Sequence, residues 1–84
     1  MSMTKAVTTK ALGIMLRDHR KKIDVTQTEL ARLAGGIKQA TVSNFENNPS
    51  AAKVDTLFKL ANALGLEIHI IEKKSAPSLG VDEW

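Results

Sequence analysis

TQTELARLAGGIKQATVSNFE, residues Thr26 to Glu46, decides the fold, because it reads as two short helices separated by a glycine break. Thr26 followed three residues later by Glu29 is a capping box: the hydroxyl accepts from the Glu29 backbone N–H while the carboxylate reaches back to the Thr26 N–H. Leu30, Ala31 and Leu33 form the inward face of this first helix. Gly35 and Gly36 stop it, since glycine supplies the positive φ that other residues resist, and the small side chain of Ala31 lets a second helix cross close by.

The second helix runs from Gln39 to Asn47. Val42 and Phe45 lie three apart on one face, while Gln39, Ala40, Ser43 and Asn44 fall away from it. The outward face is therefore polar and uncharged. A helix face shaped for solubility alone carries Glu and Lys in i,i+4 pairs; amides, hydroxyls and a methyl group instead suit base edges in the major groove of DNA, where Gln pairs with adenine, Ser is permissive and Ala touches a thymine methyl. Lys38, just before this helix, is placed for a guanine or a phosphate.

Gln27, Leu30, Ala31, Gly35, Ile37, Thr41, Val42, Ser43 and Glu46, preceded by Arg20 and followed by VDTLFKLANALG, form a pattern that resembles the Cro and phage-repressor helix-turn-helix family, also known as the xenobiotic-response-element family, over about two thirds of the chain. Within it, GIKQATVSNFENNP, a strand-like segment and a tail ending in Trp84 look like the HipB-type antitoxins. Most family members have a single glycine before the apolar residue that matches Ile37; the pair Gly35 and Gly36 leaves the aim of the recognition helix open. The resemblance implies a pair between Arg20 and Glu46 that ties the first helix of the domain to the recognition helix, two separate exposed charges being the competing reading. It also implies double-stranded operator DNA and a HipA-like serine/threonine kinase toxin as partners, and it fits a dimer, whose two-fold would make the operator palindromic.

Size and composition fit this reading. Eighty-four residues make one domain, short enough that oligomerisation often has to support the core, and the absence of Cys removes disulfides as an alternative. With no apolar run near twenty residues and no signal-like N-terminus, the expectation is a soluble cytoplasmic protein with no membrane contact. His19 and His69 are too few and too far apart for a zinc site, and no cofactor or metal is expected. The net charge is +3 with a pI near 9.5, and residues 1–71 hold ten Lys/Arg against six Asp/Glu. Arg17, Arg20, Lys21 and Lys22 cluster near a helix end, where cations either complement the macrodipole or form a phosphate patch. Only Phe45, Phe58 and Trp84 are aromatic, which offers no stacking platform for single strands and favours duplex DNA.

The remaining segments divide the chain into an extension at 1–8, a helix-turn-helix domain with a dimerisation strand at 9–72, and a flexible tail at 73–84. Thr9 to about Lys22 reads as a helix with Leu12, Met15, Leu16 and His19 at helical spacing, after which Ile23 and Val25 pack toward the next helix. Asn47, Asn48 and Pro49 end the recognition helix. Val54, Leu57, Phe58, Leu60, Ala61 and Leu64, stopped by Gly65, make a fourth helix and the largest apolar share of the core. The expected class is thus mainly α, with four helices of the Cro/repressor type followed by one C-terminal strand. That strand is LEIHIIE, where Leu66, Ile68 and Ile70 alternate with Glu67 and His69; lacking a ladder partner in its own chain, it is expected to pair with a second copy, a further helix being the competing reading.

Phosphate contacts fall to Thr26 and Gln27 at the start of the second helix and to Asn47, Asn48 and Lys53. Trp84, beside Asp82, Glu83 and the terminal carboxylate, is an aromatic tip that either docks on a partner, is read by a protease, or is an inert end. Two other classes compete with an operator-binding repressor: a protein-interaction module with the helix pair as scaffold, and an enzyme. The enzyme has least support, since there is no Cys, no phosphate-cradling loop with Lys and no evident carboxylate pair.

Overall fold

A computed structural model describes residues 5–73. Its four helices are α1 (Thr9–Lys22), α2 (Gln27–Leu33), α3 (Gln39–Asn47) and α4 (Val54–Ala63), with one 3-10 turn, Pro49–Ala51, between the last two.

Local chemistry explains where each helix starts and stops. Thr8 caps α1 by accepting from the Ala11 N–H at 3.0 Å, and Thr26 and Glu29 form the full capping box on α2. Three helices end in the same hydrogen-bonded device, in which a residue of positive φ turns the chain back onto the last carbonyls. In α1 this residue is Asp24 (φ 62), with Val25 N–H bonded to Arg20 O and Asp24 N–H to Lys21 O. In α2 it is Gly35 (φ 100), with Gly36 N–H on Ala31 O and Gly35 N–H on Arg32 O. In α4 it is Gly65 (φ 73), with Leu66 N–H on Ala61 O at 2.8 Å. α3 stops differently, at Asn48 before Pro49, because the residue preceding a proline leaves the α region.

The core consists of Leu16 from α1, Leu30, Ala31 and Ala34 from α2 and its cap, Val42 and Phe45 from α3, and Leu60, Ala61 and Leu64 from α4 and its cap. Val42 is fully enclosed. Burial of each large side chain contributes about 1.5–3 kcal/mol, so this set drives assembly of helices too short to persist alone. α2 and α3 share the most extensive contact; α1 crosses α3 and the 3-10 turn, and α4 supports α2. Gly13 allows the α1 crossing, since a Cβ there would lie 2.9 Å from Pro49 Cγ and 3.2 Å from the carbonyl oxygens of Phe45 and Glu46.

Three expected core residues are exposed instead. Leu33 is 52% accessible, Val54 68% and Phe58 46%. On the two-turn α2 the inward arc is set by Leu30, Ala31 and Ala34, and Leu33 lies beyond its edge. On α4 the arc runs through Leu57, Leu60, Ala61 and Leu64, with Val54 at the first position of the helix and Phe58 on the flank. Ile23, expected to pack toward α2, is likewise exposed, whereas Val25 packs on the core. Residues 66–73 carry no strand, nor does any other described residue. Leu66 packs against the core, while Ile68, Ile70 and Ile71 are exposed, Ile70 almost completely at 98%.

Candidate nucleic-acid interface

α2, its turn and α3 form a helix-turn-helix whose turn contains both glycines in left-handed backbone, Gly35 at φ 100 and Gly36 at φ 78. Ala31 O accepts from both Gly36 N–H and Ile37 N–H, each at 3.1 Å, so the additional residue is absorbed as a second bond to one carbonyl. Neither glycine has a neighbour that a Cβ would strike; both positions demand glycine for φ, not for space.

Anchored by Val42 and Phe45, α3 turns Gln39, Ala40 and Asn44 to solvent, with Ser43 partly exposed. Lys38 caps the helix without a side-chain bond and is exposed. Asn47 Nδ2 donates to Ser43 Oγ at 3.3 Å, one turn along the outer face, and Ser50 Oγ donates to Asn48 Oδ1 at 3.3 Å. Asn48 and Lys53, together with Thr41 and Asn44, line a shallow groove of about 610 Å³ beside the helix.

Beneath this face lies a continuous polar chain. Arg20 donates through Nε to Glu46 Oε2 at 2.6 Å and through Nη2 to Glu46 Oε1 at 3.1 Å, and its Nη1 donates to Val25 O at 2.8 Å. The two side chains are 9% and 2% accessible, so this is a buried, two-pronged pair joining α1 to the C-terminal half of α3. Gln27 Nε2 then donates to Glu46 Oε1 at 3.0 Å, and Gln39 Nε2 donates to Gln27 Oε1 at 2.6 Å. The outermost amide of the recognition helix is thereby connected, through two intermediaries, to an arginine on the first helix.

A helix-turn-helix family profile matches residues 16–71. Antitoxin HipB of Escherichia coli is 40% identical over 76 residues, covering 90% of this chain and 85% of that protein. Among solved structures, a HipB variant in complex with an O2 20mer superposes with a TM-score of 0.82 at 38% identity, over 87% of this chain and all of the other. A HipA–HipB–O2–O3 complex gives 0.81 at 38% identity, over 86% of this chain and all of the other. The chain belongs to the HipB-type helix-turn-helix antitoxins.

In this HipB-type chain the structure redistributes several sequence-derived roles. Arg20 is withdrawn from the basic cluster at the end of α1 by its pair with Glu46, leaving the exposed Lys21 and Lys22 and the partly exposed Arg17. Gln27, expected at a phosphate, has both ends of its side chain engaged internally. Thr26 is occupied as well, by the capping box, and the backbone and side-chain hydrogen bonds from Thr26 hold the Glu29 carboxyl below its ordinary pKa. Asn47, Asn48 and Lys53 are exposed, the last two on the wall of the groove. Trp84 lies outside the described residues. No helix among the described residues is long and apolar enough to cross a membrane.

Sequence reasoning missed the bridge made by Gln27 and the close crossing at Gly13. Gly13 carried a signal, because a glycine inside a helical pattern costs about 1 kcal/mol against Ala and calls for a packing reason. Gln27 carried none, since its two partners lie 12 and 19 residues away in the chain.

Proposed function

We propose that this chain is a dimeric, sequence-specific operator binder that represses its own transcription unit and acts as antitoxin to a HipA-like serine/threonine kinase. The observation that carries the reading is the outer face of α3, where an amide, a methyl and a hydroxyl stand outward without a single charge while Val42 and Phe45 hold the helix from below. Gln39, Ala40 and Ser43 contact bases and Lys38 reaches a guanine or a phosphate. Asn47, Asn48 and Lys53 flank the face and contact backbone phosphates, whereas the side chains of Thr26 and Gln27 are already engaged within the protein.

Two-fold association is supported by the apolar surface left open in one chain. Val54, Phe58, Ile68, Ile70 and Ile71 are exposed on α4 and the segment after it. Residues 66–72 form a strand once a second copy supplies the ladder, which one chain cannot do. Two recognition helices related by a two-fold then address half-sites one or two helical turns apart, about 34 Å per turn, on a palindromic duplex. Kinase binding is supported by the likeness to HipB, a protein solved in complex with HipA, and Trp84 at the tail is the proposed partner-binding tip.

A gel-shift with duplex DNA from upstream of the gene tests the operator half. If the dimer neutralises about six phosphates, log K against log salt falls with a slope near −5, from about −0.9 per phosphate. No shift of any upstream fragment, or a slope indistinguishable from zero, rejects it. The antitoxin half is tested by coexpression with the HipA-like kinase from the same operon: relief of growth arrest supports it, and arrest unchanged by coexpression rejects it.

A further inference from the structure

We propose that Glu46, though it touches no base, is a positioning residue that fixes the polarity with which Gln39 meets one, through a one-way hydrogen-bond relay across Gln27. The proposal rests on the reading of Gln39 as a base contact and adds what selects the base.

Each link has one permitted direction. The Glu46 carboxylate, paired with Arg20 and almost wholly enclosed, can only accept. Gln27 has a donor end and an acceptor end that look alike in shape, and the carboxylate decides between them: with Nε2 inward it donates at 3.0 Å, whereas the flipped amide would set two oxygens against each other at that distance. Its Oε1 therefore faces outward, and Gln39 must answer with Nε2, at 2.6 Å. One N–H of Gln39 is thus consumed. What remains for DNA is Oε1 and a single N–H, in a fixed order along the groove.

That order has a chemical consequence. Adenine offers a donor, N6–H, and an acceptor, N7, which match the remaining acceptor and donor of Gln39. Guanine offers two acceptors, O6 and N7, and one of them would face the Gln39 oxygen. A free glutamine amide can rotate to relieve that clash; one whose Nε2 is held by Gln27 cannot. The relay therefore converts a permissive amide into a reader that rejects guanine, and the element that imposes the direction is the buried carboxylate on the opposite side of Gln27.

Two variants separate this from a structural role. Glu46→Gln gives residue 46 both a donor and an acceptor, so Gln27 and Gln39 can invert; Gln27→Met removes the middle link and leaves the Arg20–Glu46 pair in place. The probe is the duplex best bound by the wild-type full chain from a random-sequence pool, together with all its single base-pair substitutions, measured by fluorescence anisotropy well below each variant's melting temperature. Both variants should lose discrimination of adenine from guanine by about fivefold or more at the base pair that Gln39→Ala also affects, the low end of what one bidentate contact is worth, with other positions unchanged within about twofold. Equal loss at every base pair, or unchanged discrimination in folded Gln27→Met, overturns the relay. The side-chain amide resonances of Gln39 in DNA-free protein give a second readout: they should shift in Glu46→Gln as in Gln27→Met, and unshifted resonances in both overturn the relay even if the wild type binds no duplex and the operator reading has failed on its own.

Discussion

Arg20 Nε lies 2.6 Å from Glu46 Oε2, a contact that spans 26 residues of chain and closes the first helix onto the recognition helix. Both side chains are buried, so removing one partner strands a charge rather than deleting a weak surface pair. Glu46→Ala should destabilise the fold by about 3–5 kcal/mol. The double substitution Arg20→Met, Glu46→Leu should recover a substantial part of that loss, because it removes both charges. Urea denaturation of the three variants checks this; a double variant as unstable as the single one would place the energy in packing, not in the stranded charge.

Gly13 is a tighter constraint than its place in a helix suggests. Ala is the better helix former by about 1 kcal/mol, yet its Cβ would meet the Pro49 ring and two α3 carbonyls. Overpacking of this kind costs about 1–3 kcal/mol, so Gly13→Ala should lower the melting temperature despite the gain in propensity. A raised melting temperature would show that α1 and the 3-10 turn separate freely.

At Asp24 the opposite change is expected to help. A non-glycine residue at φ 62 is strained, and an acidic residue just past the C-terminus of α1 carries the sign that the helix dipole disfavours there. Asp24→Gly should stabilise by about 0.5 kcal/mol after the entropy that glycine adds to the unfolded chain is subtracted. Gly36→Ala, at φ 78 with open space around it, should cost about 1 kcal/mol from backbone strain alone. Thermal melts of the two variants should therefore move in opposite directions.

Glu29 gives the fold one acid-sensitive link. Its folded-state pKa is lowered, first by the Thr26 backbone N–H and then by the Thr26 hydroxyl, so the folded state holds a proton less readily than the unfolded chain. The capping contribution is complete above the ordinary glutamate value, about 4.3, and disappears as pH falls through the depressed value. The stability difference between wild type and Glu29→Gln should shrink over that window and be independent of pH near neutrality.

Most of the fold was legible because its punctuation is local. Thr26 with Glu29, the twin glycines, Asn48 before Pro49 and Gly65 each act within one helical turn, and α1 and α3 occupy the ranges that the pattern implied. What could not be read depends on neighbours distant in the chain. Leu33, Val54 and Phe58 fit a helical period but fall outside arcs that only the packed helices define. Asp24 takes a left-handed turn more often given to glycine, with no glycine beside it to announce it. The outward face of α3 was legible residue by residue; the Gln39–Gln27–Glu46–Arg20 chain beneath it was not, because adjacency in space across two helices leaves no mark in spacing.

The central claim, that α3 reads base edges, is met most directly by one titration. Wild type and Gln39→Ala are compared by fluorescence anisotropy on the duplex selected by the wild type and on a random duplex of equal length, at one salt concentration. Gln39→Ala should lose about 1–3 kcal/mol on the selected duplex and nothing on the random one. Equal affinities of the two proteins for both duplexes would contradict it.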